Sequence, residues 1–523
     1  MEIKNINNNY NNINNTQRLN FKSSMGLVSK TLYTLSNNDM LNASFVDVFA
    51  MDTPRTIIET KQRGKEAGIE MGFREYTGTF IAEFSSAVFA ILVSKFISKK
   101  IQPETKVNSS SWITNNGLNV YSEIYEKSDK TPHSYVKNVL DSMTGLVGDK
   151  RKSFADMDKE KKFSVVESLV DIINNKALNK KEKTKSLNKV QDNIINLLGA
   201  DNNITIKSKN HEVSSNLSHA LRDIVDSGQN IFFAKSSNSE KIVSKLKKMN
   251  NLRIGIAIPL SMGLAITNQY INRLWTKKRT GIDNFVGEND YQNNVQTKKE
   301  KKKEKGLGLK KVLSAGLFVL MLSKVMGVKK PIDFVKKLEF DGPATSGNAI
   351  KTIYGTLILG RIFASKDSTE LRETNVRDYL GFLNWLVLGG FVSKGVGQIF
   401  DPKQKELFNI SKKGKGVKHW LQDISLKSQK EIIAQGGNVK SNLRKLNIAQ
   451  TAGVVYSAVM LGMLLPKLNI WMTRGKWSKW GKKDKDNKII NNTEENPIFS
   501  SNINFKSKFV SMDEFKKSVH KNS

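Results

Sequence analysis

Leu446–Pro466 (LNIAQTAGVVYSAVMLGMLLP) runs for 21 residues without a charge, between Lys445 and Lys467. As a helix at 1.5 Å per residue it reaches about 30 Å, the thickness of a bilayer's hydrocarbon core. A second run, Ile254–Asn272, holds 19 uncharged residues between Arg253 and Arg273. Pro259 inside it should kink a helix, which membrane helices tolerate better than soluble ones. Four weaker segments follow the same plan. Tyr76–Ser94 carries only Glu83, 312–328 carries Lys324, and 379–400 carries Lys394. The segment 350–364 is uncharged only over Thr352–Gly360, between Lys351 and Arg361. Small residues four apart (Gly255, Pro259, Gly263; Gly453, Ser457; Ala458, Gly462) would let such helices pack closely. The fold class these runs imply is all-α, with about four to six membrane helices.

Between the first two runs lies a polar, basic section, residues 101–252. Four apolar stripes with helical period cross it: Phe163, Val166, Leu169, Val170 and Ile173; Leu187, Val190, Ile194 and Leu197; Leu217, Leu221, Ile224, Val225 and Ile231; Ile242, Val243, Leu246 and Met249. This reads as an inserted helical-bundle domain, with no competing strand alternation. Ahead of the first run, Asp52-Thr53-Pro54 signals a helix start. A polar helix is expected from there to Glu75, with Gly64, Gly68 and Gly72 on one face where another helix could approach.

Residues 1–50 open with nine Asn in the first twenty and are expected to be largely disordered. The segment 52–98 then holds the polar helix and the first run, and 253–480 the remaining runs, interrupted by a Lys-rich linker at 280–311. The tail 481–523 reads as disordered. The first 75 residues show no charged region followed by an apolar one, so no cleavable signal is expected.

The charge balance is 84 Lys and Arg against 49 Asp and Glu, a net +35. Such a field attracts polyanions, and for membrane helices the nearest are anionic lipid headgroups met through the Lys-rich segments. Helix–helix self-association is a further expected contact, while nucleic acid is disfavoured because no aromatic–basic recognition module accompanies the charge. The chain has no Cys, which removes disulfides, thiolate nucleophiles and Cys-ligated metal sites. Its five His are scattered. Gly342–Gly347 has P-loop glycine spacing, but Asn348-Ala349 replaces the Lys-Ser/Thr pair. No other catalytic, cofactor or metal motif is present, so an enzyme is not expected. Glu370 and Glu373 read as solvated charges of a short linker. The charges that stand out are those in or beside the apolar runs: Glu83, Lys324, Arg361 and Lys394. An intramembrane carboxylate is a functional candidate by default, whereas run-end Lys and Arg can snorkel to the interface.

The six runs alternate in their endings. The first, third and fifth run into Ser-Lys and then Pro (Ser94-Lys95 and Pro103; Ser323-Lys324 and Pro331; Ser393-Lys394 and Pro402), which suggests three helical hairpins. Pro331-Ile332-Asp333-Phe334-Val335-Lys336 resembles the P-x-[DE]-x-x-[KR] signature of mitochondrial-type carriers. In that family the motif recurs in three repeats. Here Glu104-Thr105-Lys106 and Lys403-Gln404-Lys405 follow the other two prolines, so no gate residues carry over. The reading is a multi-pass helical membrane protein acting in structure or interaction. The alternatives are a transporter or channel using its intramembrane charges, and a soluble basic protein binding nucleic acid or an acidic partner.

Overall fold

The computed structural model describes residues 25–100, 111–233, 239–281 and 304–481; most of the Asn-rich start, most of the Lys-rich linker and nearly all of the tail lie outside them. The chain up to Thr473 forms one compact unit. Helix accounts for 76% of the structure, so the helical class holds in its coarse form. Residues 27–36 and 39–50 are helical, which corrects the expectation of disorder there.

The chain begins with α1 (Leu27–Ser36) and α2 (Asp39–Phe45). The latter continues through a π-helical turn, Val46–Asp52, into α3 (Thr53–Arg63). The expected helix start at Thr53-Pro54 is therefore an internal joint. Pro54 has no N–H to offer the Ala50 carbonyl. The extra residue of the π-turn absorbs the break, and Thr53 Oγ1 bonds the Val48 carbonyl at 2.7 Å. Gly64, at φ +98°, then ends α3, and α4 (Lys65–Thr79) folds back along it. The expected single helix is thus a hairpin, and the glycine face serves its own preceding half. A Cβ at Gly68 would lie 1.8 Å from Thr60 Oγ1, and one at Gly72 would lie 3.3 Å from Thr56 Cγ2. After a second π-turn, Phe80–Ser85, α5 runs from Ser86 to Lys100.

The polar domain comprises α6 (Asn115–Glu126), α7 (Pro132–Asp141), β1 (Met143–Val147), β2 (Lys150–Ser153), α8 (Lys159–Asn174), α9 (Lys180–Leu198), β3 (Ile204–Lys207), β4 (Glu212–Ser215) and α10 (Leu217–Phe233). The strands form an antiparallel sheet in the order β2-β1-β3-β4, which corrects the purely helical reading of this section. They are four or five residues long, too short for a clear alternating signal. The third and fourth helical stripes are buried throughout, while in the first two Val170 and Leu187 are half-buried. In the first of these Phe163 is exposed, and in the second Leu198 is buried more deeply than Leu197.

Next come α11 (Ser239–Thr280), α12 (Leu307–Val325), the short α13 (Pro331–Lys336), the two-residue strands β5 (Phe340–Asp341) and β6 (Ala344–Thr345), and α14 (Gly347–Ala364). A further long helix is built from α15 (Ser368–Leu383), the π-turn Asn384–Leu388 and α16 (Gly389–Phe400). Then follow β7 (Phe408–Ile410), α17 (Val417–Gln422), β8 (Ile424–Leu426) and α18 (Gln429–Gln435). This part joins the core of the polar domain: Leu407, Phe408, Ile432 and Leu446 share its apolar cluster, and Ile410 N bonds the Gly148 carbonyl at 2.7 Å. The last helix is α19 (Val439–Ser457), a π-turn Ala458–Leu464 and α20 (Leu465–Gly481).

The apolar segments pack as three antiparallel pairs. In the first, Thr77 bonds Asn268, Ser85 bonds Ser261 and Arg253 bonds Ser94 at 3.0, 2.7 and 2.7 Å, a polar seam along α4–α5 and α11. In the second, Phe318 and Leu322 of α12 lie against Gly355 of α14. In the third, Gly453 of α19 sits on Ser393 and the Gly389 carbonyl of α16. The expected small-residue seam therefore exists at Gly453 and Gly462. It does not exist at Gly255 and Gly263, around which a Cβ would meet nothing within 4 Å.

Among the described residues, three helices are long and apolar enough to cross a membrane: Lys65–Ile97, Ser239–Thr280 and Val439–Thr473. Only 44%, 33% and 33% of their most apolar windows are buried, so more than half of each is at least partly exposed. Leu260, Leu264 and Ile271 stand out from one of them, and Val455, Val459 and Met463 from another. In contrast, α14 is buried along most of its length, and α12 carries Lys310, Lys311 and Lys324.

Candidate functional site

Arg55, Glu59 and Arg63 are spaced by four on α3 and so share one face. Opposite-sign charges four apart usually mark a solvated helix face, yet all three are buried. They meet Glu70, Arg74 and Glu75 of α4, Arg361 near the end of α14, and Glu373, Arg377 and Asp378 of α15. Five arginines thus face five carboxylates inside the protein, and an isolated charge there would be prohibitive. The pairing is dense. Arg361 reaches Glu75 at 3.2 Å and Asp378 at 3.1 Å. Arg377 lies 2.9 Å from Asp378, and Arg74 3.2 Å from Glu75. Arg63 bonds Glu59 and forks onto both oxygens of Glu373, at 3.1 and 3.3 Å. Such bidentate bonds fix geometry as well as charge.

The network also binds the last long helix. Thr473 Oγ1 donates to Glu373 at 2.8 Å, and Arg55 Nε donates to the Leu461 carbonyl at 3.0 Å. Leu461 lies in a π-turn, where the regular ladder is interrupted and a carbonyl can accept a bond from elsewhere. Burial works against the carboxylates of Glu373 and Asp378. Arg63 outweighs it at Glu373, and Arg377 and Arg361 outweigh it at Asp378, holding both below the ordinary carboxylate value. Glu59 is pushed up by burial despite Arg63. Arg273 pairs with Glu370, and Arg279 lies 2.9 Å from Glu66, so the end of α11 joins the same cluster.

Beside this balanced set stands an unbalanced one. Asp47 and Asp52 come from the first π-turn and Glu83 from the second, and all three are buried. Asp47 is within hydrogen-bonding reach of Glu83, and neither Asp47 oxygen has a donor. Two facing carboxyl groups are satisfied only when one holds a proton. Glu83 also accepts a 2.5 Å bond from Ser44, and Asp52 one of 2.8 Å from Thr79. Arg55 and Glu75 act on Asp47 from α3 and α4. Burial first, and then the Glu83 charge, push Asp47 well above the ordinary carboxylate range. Among the described residues no group of His, Asp and Glu is arranged to hold a metal ion.

This predicts a pH dependence. Because the folded-state pKa of Asp47 is raised, the folded chain keeps a proton that the unfolded chain releases. The contribution is full below about pH 4, the unfolded value, and is lost as pH rises through the folded value. Asp47→Asn supplies a permanent donor. Thermal unfolding in detergent should fall more gently from pH 5 to pH 8 in the variant, which should be the more stable by about 1–3 kcal/mol at pH 8. An unchanged pH slope would count against the shared proton.

Of the residues singled out from sequence, Glu83 and Arg361 fall in these two neighbouring clusters. Arg361 does not snorkel; it is 2% exposed and paired with Glu75 and Asp378. Lys324 is exposed at the end of α12. Lys394 is half-buried and caps α17, donating to the Trp420 and Leu421 carbonyls at 3.0 Å each. Glu370 and Glu373 are not solvated linker charges; both are buried in α15. The sequence signal for the rest was the four-residue spacing of Arg55, Glu59 and Arg63. No family model, curated protein or solved structure matches the chain.

Proposed function

We propose that this is a multi-pass α-helical membrane protein with a structural or interaction role, holding its polar domain at one membrane face. The observation that carries the reading is the outward apolar surface of the three long helices. A soluble protein would leave that surface in water, where large apolar patches are unfavourable. Basic residues bracket it: Lys95 and Arg253 toward the polar domain, and Lys277, Lys278 and Arg279 at the other end. With α4–α5 and α11 crossing, residues 111–233 lie opposite the ionic network. The basic stretch 401–445 folds onto that polar domain, and a folded domain weighs little in the positive-inside rule. The arginine network supports a structural role, since its charges are committed to one another and to fastening helices. Carbonate extraction tests the membrane assignment: the protein should stay in the pellet, and release into the supernatant would favour the soluble alternative.

The Asp47–Glu83 pair favours a second reading, proton-linked transport. It predicts solute or proton flux in proteoliposomes that Glu83→Gln abolishes. Absence of flux for every solute tested leaves the structural reading.

A further inference from the structure

A cleft of about 930 Å³ lies where the polar domain meets the end of α5. Lys176, Lys180, Lys183 and Arg222 line it from the domain, Lys95 lines it from α5, and Asp226 is its one acidic residue. Lys183 is already engaged by Asp226 at 2.8 Å and Gln229 at 3.0 Å. Lys176 lies 4.0 Å from the centre of the Phe233 ring, and the side chains of Lys176 and Lys180 are exposed. One wall is formed by Ile91 and Ser94 of α5 together with Trp112, which precedes α6. Arg253 locks this corner, bonding Ser94 at 2.7 Å and covering the Trp112 ring at 4.0 Å. A Trp beside Lys and Arg at the end of an apolar helix is the composition of a headgroup-level belt.

We infer that this cleft is a binding site for the phosphate-bearing headgroup of an anionic phospholipid, with the acyl chains leaving along Ile91. The inference rests on the membrane reading. With Lys183 paired to Asp226 and Arg222 3.6 Å from Asp223, the five basic side chains still outnumber the nearby carboxylates, and this lining selects an anion. The position beside α5 selects one that arrives in the membrane plane, since the apolar wall gives a soluble anion nothing to contact.

The test uses the full chain in detergent, a fluorescent short-chain phosphatidylserine as probe, and phosphatidylcholine as the neutral comparison. Lys176→Gln/Lys180→Gln should weaken phosphatidylserine binding about thirtyfold, at roughly a tenfold loss or less per lysine. Lys412→Gln/Lys415→Gln removes the same charge from exposed positions outside the cleft and should change affinity less than about twofold. Equal losses in both variants, or equal affinity for phosphatidylcholine, would overturn the site. Displacement by inorganic phosphate as effective as by unlabelled lipid would overturn the lipid source. Carbonate release of the wild-type protein would instead sink the membrane reading, independently of these titrations.

Discussion

Arg361→Met is expected to destabilise the protein by about 3–5 kcal/mol, the cost of removing one partner from a buried ion pair. Arg361 is enclosed and serves two carboxylates on two different helices, Glu75 of α4 and Asp378 of α15. Without it both must be neutralised or left short of a counter-charge, and methionine fills the volume but offers no donor. Urea or thermal unfolding in detergent measures the loss. Arg361→Met/Asp378→Asn should lose less than the sum of the two single changes, because the second removes a carboxylate that the first left with Arg377 as its remaining partner. A loss below about 1 kcal/mol in Arg361→Met would mean that water reaches the network and screens it.

The second large effect is steric. A Cβ at Gly360 would lie 2.6 Å from the Ile266 carbonyl oxygen and 2.8 Å from the Ile266 Cα. Both are backbone atoms, so no rotamer relieves the contact and α11 must move away from α14. Gly360→Ala should therefore cost about 1–3 kcal/mol, the range of core overpacking. Gly263→Ala, one turn before Ile266 on α11, is the comparison. Its Cβ would meet nothing within 4 Å, and alanine is the better helix former by about 1 kcal/mol. It should be neutral or stabilising in the same unfolding assay. Equal effects at the two positions would contradict this packing of α11 on α14.

The contrast also shows what sequence could and could not reveal. Gly255, Pro259 and Gly263 have the spacing of a packing seam but face outward, while Gly360 belongs to no such pattern and lies directly against the Ile266 backbone. Spacing places residues on one face of a helix without saying which face meets a neighbour. The long apolar runs and the helical stripes of the polar domain were readable because period and length are local properties. The ionic network was not, because Arg55, Glu59 and Arg63 show the pattern of a solvated face until α4 and α15 close over them. By spacing Gly64 belongs to a helix face, and its φ of +98° instead makes it the turn of a hairpin. The short sheet and the docking of 407–446 onto the polar domain depend on partners far away in the chain, as in β1 with β3 and Gly148 with Asn409.

The chain has no cysteine, so a single introduced thiol reports one position cleanly. The central claim, that the outward apolar faces of the long helices meet lipid, is tested most directly by labelling native membranes with a water-soluble maleimide. Leu260→Cys and Val455→Cys, at positions 50% and 54% exposed, should remain unlabelled until the membrane is dissolved in SDS, while Lys180→Cys on the polar domain should label in opened membranes. A thiolate needs water to form and react. Labelling of the first two at the rate of Lys180→Cys in intact bilayers would contradict the account.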